Sequence, residues 1–237
     1  MTDLSDWPPE ANRVDRVGSY LTPNVEAVIA HRPDLVIAVP SPGNREAVES
    51  LESLGLHVVM VKEGPTVSDV FASIVAIASA AGRPDAGRAL VTRLQERIDI
   101  IGKRVQALPR RRVLMIVGEN PLVAVGDGNL LDELLRRAGA ENVARGLGVW
   151  PRLSVEFLVK SDPEIIIDSS MGDESKSDLS FYAGLGLAAL ESKQVHAVRL
   201  DELLRPGPRL ADGLEKLARR VHPEAFGSEP ARGTAAR

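Results

Sequence analysis

The residue types that could do catalysis are present in this 237-residue chain, but their spacing does not assemble them. His31, His57, His196 and His222 fall at expected helix ends or strand starts with no paired spacing, so structural roles are expected rather than metal ligation. Glu26 and Glu156 read as first-turn carboxylates that complement a helix dipole, not as an acid/base pair. Cysteine is absent, which excludes disulfides, thiolate metal sites and a cysteine nucleophile. Gly126-Asp127-Gly128 opens like a dinucleotide fingerprint but has Leu131 in place of the third glycine, and it reads as a turn before a helix. There is no phosphate loop and no Gly-x-Ser-x-Gly elbow. No catalytic residue, metal site or cofactor is assigned. Binding is the chemistry that remains. Pro40-Ser41-Pro42-Gly43 follows the expected C-terminal end of a strand, where open α/β sheets take ligands, and Ser169-Ser170-Met171-Gly172 is its counterpart. Trp150, before Pro151, and Arg205-Pro206-Gly207-Pro208-Arg209 either line the same cleft or serve only as packing and solvated charge.

The elements that must hold these loops are organised around Pro84–Leu108. Apolar residues recur there at Leu90, Leu94, Ile98, Ile101, Val105 and Leu108, a helical spacing that predicts a strut roughly 37 Å long. On either side the chain repeats one plan. Asn24-Val25-Glu26, six residues, Pro33, then Val36-Ile37 matches Ser154-Val155-Glu156, six residues, Pro163, then Ile166-Ile167, each 130 residues on. Each copy reads as a capped helix, a proline stop and an apolar strand. Helices are also expected over Glu46–Leu54, Val67–Ala81, Leu130–Ala138 and from Pro208 to about Val221. Further strands are expected over Leu56–Val61, Arg112–Val117, Leu122–Val125 and Val195–Leu200, with a short or partial strand in Val14–Tyr20 ending at Gly18. The fold class is therefore α/β: two Rossmann-like lobes joined by one long helix, with a ligand cleft between them. The lobes are expected at 1–83 and 109–224, the linker helix at 84–108 and a disordered tail at 225–237. A strand and helix precede the second copy of the repeat, and the first copy lacks their counterpart, so the first lobe reads as truncated at its start.

The net charge of −4, evenly mixed in sign, provides no basic stripe for a phosphate backbone, so nucleic acid is not an expected partner. No apolar run is long enough to span a bilayer. The N-terminal residues MTDLSDWPPEANR have neither the basic nor the apolar region of a signal peptide.

In family order, Ser5-Asp6-Trp7-Pro8-Pro9, Val17-Gly18, Asn24-Val25-Glu26, Pro33-Asp34-Leu35-Val36-Ile37, Ala138-Gly139 with Glu141-Asn142, Trp150-Pro151 with Ser154 and Glu156, and Pro206-Gly207-Pro208-Arg209 resemble the helical-backbone substrate-binding proteins of ABC importers. The resemblance implies a periplasmic or membrane-anchored receptor that takes a cobalamin, haem or ferric-siderophore ligand between two lobes and acts as a monomer with an ABC importer permease. It implies ligand contacts from Tyr20, Ser41, Pro42, Trp150, Arg205 and Arg209. Val39 and Met60 stand where the cobalamin receptor has aromatic residues, while Tyr20 and Trp150 remain aromatic. Arg205 and Arg209 could meet ligand carboxylates. Tyr20 is the first candidate for an iron ligand and Tyr182 the second. Family docking on the permease uses one acidic residue per lobe. Glu46 matches in the first, and in the second Leu204 occupies the matching position, leaving Asp201 or Glu202 as substitutes. Two rivals stand beside this reading: an α/β enzyme using the cleft, and a truncated paralogue that does not transport.

Overall fold

The structure, a computed structural model, describes residues 1–169, 179–198 and 201–227. Most of the expected loop Ser169-Ser170-Met171-Gly172, the last two residues of the expected strand Val195–Leu200 and positions 228–237 lie outside them. The chain divides into two compact units. The first comprises Met1–Glu63 with Ser68–Val91; the second takes Gly64–Val67 and the described residues from Thr92 onward.

In the first unit, α1 (Val25–Ala30) starts where the Asn24 side chain accepts a hydrogen bond from the Ala27 N–H, at 2.9 Å. It leads to β1 (Val36–Ala38), α2 (Arg45–Ser53) and β2 (Val58–Met60), and β1 and β2 pair in parallel with Val36 opposite Val58. This is the expected strand–helix–strand order, and α3 (Val67–Ala80) follows. Among the described residues β1 pairs with no second strand, and Ile37 at its centre is 43% exposed. The expected strand Val14–Tyr20 does not form. Gly18, at φ 90°, turns the chain so that it bridges back to Pro23, while Pro9–Arg13 winds into a 3-10 turn.

The long helix is α4 (Pro84–Val105), three residues shorter than expected. Its Pro84–Val91 portion belongs to the first unit and the remainder to the second. Leu94, Ile98, Ile101 and Val105 are all at most 4% exposed, so the apolar stripe read from the sequence is the buried face.

The second unit is built on β3 (Arg111–Glu119), nine residues long and apolar at its centre. β4 (Leu122–Ala124) folds back antiparallel on its C-terminal half, β5 (Ala140–Asn142) runs parallel to its start, and β6 (Ile165–Asp168) and β7 (Val195–Ala197) extend the sheet in parallel on the other side. The helices are α5 (Leu130–Arg137), α6 (Val155–Ser161), α7 (Ala188–Glu191), α8 (Asp201–Leu204) and α9 (Leu210–Val221). Ser154 caps α6 as expected, accepting from the Phe157 N–H at 3.1 Å. Three short elements, β5, α7 and α8, were not expected. Each has only three or four residues, too few to display a hydrophobic period. The helix expected from Pro208 begins at Leu210, because Pro206-Gly207-Pro208 breaks the chain between α8 and α9. Ile165, Ile166 and Ile167 are at most 1% exposed, and Ile166 packs in one core cluster with Leu114, Ile116 and Leu158.

Folded structure also continues past the expected boundary at 224. Pro223–Ala225 forms a 3-10 turn, and the Phe226 ring is covered by the guanidinium groups of Arg104 and Arg219, at 5.4 and 5.0 Å from its centroid.

Candidate ligand-binding loops

In the first unit the chain leaves the C-terminal end of β1 through Val39-Pro40-Ser41-Pro42-Gly43 and enters α2. Asn44, 4% exposed, holds this turn together. Its Oδ1 accepts from the Ser41 N–H at 3.1 Å, and its Nδ2 donates to the carbonyls of Val39 at 2.9 Å and Tyr20 at 3.0 Å. Tyr20, read from the sequence apart from the Ser41-Pro42 loop, is thereby tied to that loop through its carbonyl. The Tyr20 side chain is 54% exposed, Pro42 is exposed and Ser41 half-buried. Glu46 lies in the first turn of the helix that leaves this cluster and is exposed.

In the second unit two loops meet beside β4. The Gly126–Asn129 turn and the Gly146–Pro151 loop are joined by main-chain bonds from Gly126 N–H to Val149 O, Asp127 N–H to Gly148 O and Ala124 N–H to Pro151 O, all 3.0–3.1 Å. The Asp127 carboxylate accepts from the Gly146 N–H at 3.1 Å. Asn129 caps α5 through the Asp132 N–H and donates to Val149 O at 2.9 Å. Asn142, 5% exposed, donates to the carbonyls of Val125 and Gly126 and to the Asp132 carboxylate. This scaffold presents Leu147, Val149 and Trp150, which are 46%, 45% and 50% exposed. Three large apolar side chains half in water on one rigid loop form a surface suited to an apolar face of a ligand.

The two arginines stand elsewhere in the second unit, on the α8–α9 connection. Arg205 lies 4.0 Å from Asp201, and Arg209 is half-buried at the start of α9. Glu202 is held internally, with Lys216 Nζ donating to its Oε1 at 2.5 Å. Burial alone would raise its pKa, but that bond, its own backbone N–H and the Lys216 and Arg209 charges hold it below the usual glutamate value.

Tyr182 is not available as an iron ligand. It is fully buried and its hydroxyl donates to Asp168, at the end of β6. Burial first, then that hydrogen bond and the charges of Asp168 and Glu119, push its pKa above the ordinary tyrosine range. Of the histidines, His222 is buried between Glu224 and the Gly139 carbonyl, at 3.1 and 3.3 Å. Among the described residues no three His, Cys, Asp or Glu side chains are placed to hold a metal ion.

The asparagines that build both clusters were missed. Gly43-Asn44 and Gly128-Asn129, each just before a helix, are cap signals in the sequence; their burial and long-range partners are not.

A family described as "Periplasmic binding protein" matches residues 2–196. The chain belongs to this family. An uncharacterised ABC transporter substrate-binding lipoprotein of Bacillus subtilis is 28% identical over 232 residues, covering 95% of this chain and 73% of the relative. A vitamin B12-binding protein of Vibrio parahaemolyticus is 26% identical, over 90% of this chain and 78% of its own length. Among solved structures, a possible iron-binding periplasmic protein of Staphylococcus epidermidis matches at a TM-score of 0.81 and 23% identity, covering 93% of this chain and 88% of that one. A periplasmic haem-binding protein in complex with two hemes matches at 0.80 and 26%, covering 94% and 87%.

Proposed function

We propose that this periplasmic binding protein captures a cobalamin, haem or ferric-siderophore ligand outside the cytoplasm and hands it to the permease of an ABC importer. The observation that carries the reading is the family match over residues 2–196, in a chain whose relatives are named for vitamin B12 binding and for ABC transport. The loop clusters support it. Tyr20 with Ser41 and Pro42 in one unit, and Trp150 with Leu147 and Val149 in the other, offer exposed aromatic and apolar contacts of the kind a macrocycle or aromatic chelate would use. Arg205 and Arg209 are the proposed carboxylate contacts.

Titration with cyanocobalamin, haemin and a panel of ferric siderophores, following Trp7 and Trp150 fluorescence, tests the reading. Saturable quenching by one of them is expected, with the ligand recovered unmodified; no quenching by any, or turnover of the ligand, would overturn it. For docking, Glu46 is the first proposed contact, being exposed on α2. In the second unit Asp201 or Glu202 is the proposed contact, with Glu202 bonded to Lys216 and Asp201 beside Arg205. Glu46→Arg is expected to lower ligand uptake into cells while leaving ligand affinity unchanged.

A further inference from the structure

We propose that two buried asparagines, Asn44 and Asn129, are positioning residues whose carboxamides fix the loops presenting Tyr20 and Trp150 and so set ligand affinity. The affinity half rests on the binding function proposed above; the loop half does not.

The argument starts from what an amide can do. A helix cap needs only an acceptor, which serine or aspartate supplies equally well. At Asn129 the side chain caps α5 and also donates; at Asn44 it makes no cap bond to α2 and instead both accepts from and donates to the preceding loop. Asn44 accepts from one N–H and donates to two carbonyls, and one of these, Tyr20, lies 24 residues earlier in the chain. Asn129 accepts from the Asp132 N–H, its cap, and donates to Val149 O at 2.9 Å and Gly126 O at 3.4 Å. Only a carboxamide offers an acceptor and donors from one planar group, so neither position reads as a simple cap.

Close packing shows that these bonds hold loops already pressed together. A Cβ on Gly43 would lie 3.1 Å from Leu21 O, next to Tyr20. On Gly126 it would lie 1.7 Å from Gly148 O, two residues before Trp150. The duplication does not explain the shared arrangement. Its paired caps are Asn24 and Ser154, 130 residues apart, whereas Asn44 and Asn129 fall out of that register. The two arrangements differ in their acceptor bonds, Asn129 capping α5 and Asn44 accepting from Ser41, but in each a buried carboxamide donates to a carbonyl at, or next to, an exposed aromatic residue.

Asn44→Asp and Asn129→Asp test this in the full chain. Each keeps the acceptor and turns the donating NH2 into an oxygen facing carbonyl oxygens. Hydrogen exchange read by mass spectrometry is expected to quicken in residues 17–24 and 39–44 for the first variant and in 146–151 for the second, with α3 and β6 unchanged. Affinity for whichever of cyanocobalamin, haemin or a ferric siderophore the parent protein binds is expected to fall about tenfold. Should either variant fail to fold, Asn44→Ser and Asn129→Ser, neutral and still acceptors, replace them. Unchanged exchange in these segments, acceleration spread evenly over a unit, or loosened loops with unaltered affinity would each overturn the proposal. If the parent binds none of the probes, the binding function fails and the exchange data alone decide the loop assignment.

Discussion

Tyr182 shows how one side chain ties solvent conditions to stability. The folded protein keeps its phenolic proton at a pH where the unfolded chain releases it, so the stabilisation is complete below about pH 10 and is lost as pH rises further. Tyr182→Phe removes a donor from the buried Asp168 and is expected to cost about 1–3 kcal/mol at neutral pH. Denaturation midpoints measured from neutral to alkaline pH should converge for the two proteins. Glu202 has the opposite sign. Its pKa is lowered, so its contribution is present above about pH 4.3 and disappears as pH falls through the folded value. Lys216→Met is expected to lower stability by at most about 1 kcal/mol at neutral pH, since Lys216 is 46% exposed, and the difference should vanish in acid. At this scale the sequence offers Tyr20, Ser41, Pro42 and Trp150 as expected contacts but not the bonds that hold each of their loops. The Asn44 bond to Tyr20 spans 24 residues and the Asn129 bond to Val149 spans 20, and local spacing contains no record of either.

Elements were legible where the sequence carries a sustained period or an apolar run, which also marks the three-residue strands β1, β2, β4 and β7. The stripe of α4 and the apolar run of β3 extend over enough residues to show a period or a continuous block, while β5, α7 and α8 do not. Register was readable where a cap and a proline stop coincide, as at Asn24 to Pro33 and Ser154 to Pro163. The two glycines inside α4 look alike in sequence and differ in surroundings. A Cβ on Gly102 meets nothing within 4 Å, so Gly102→Ala is expected to stabilise by roughly 0.4–1 kcal/mol. A Cβ on Gly87 would lie 2.5 Å from the Ala78 Cβ of α3, so Gly87→Ala is expected to destabilise despite the same gain in helix propensity. Thermal midpoints of the two variants moving in the same direction would refute this contrast.

Across the whole molecule, the duplication that was visible in sequence is unequal in structure. Ile37 and Ile167 occupy the same place in the two copies, yet one is 43% exposed and the other fully buried. The reason is pairing: β6 lies between β3 and β7, and β1 has only β2 beside it among the described residues. A two-stranded sheet is marginal alone, so amides of Val36–Ala38 are expected to exchange faster than those of Ile165–Asp168. Ile167→Ala should cost about 2–5 kcal/mol and Ile37→Ala less than about 1 kcal/mol, measured by chemical denaturation. The lesson reaches beyond stability. Duplicated segments are usually assumed to share their constraints, but a saturation screen for soluble expression should find position 37 permissive to threonine, lysine or glutamate and position 167 closed to all three. Position 37 would then tolerate changes that position 167 does not, although one sequence pattern covers both.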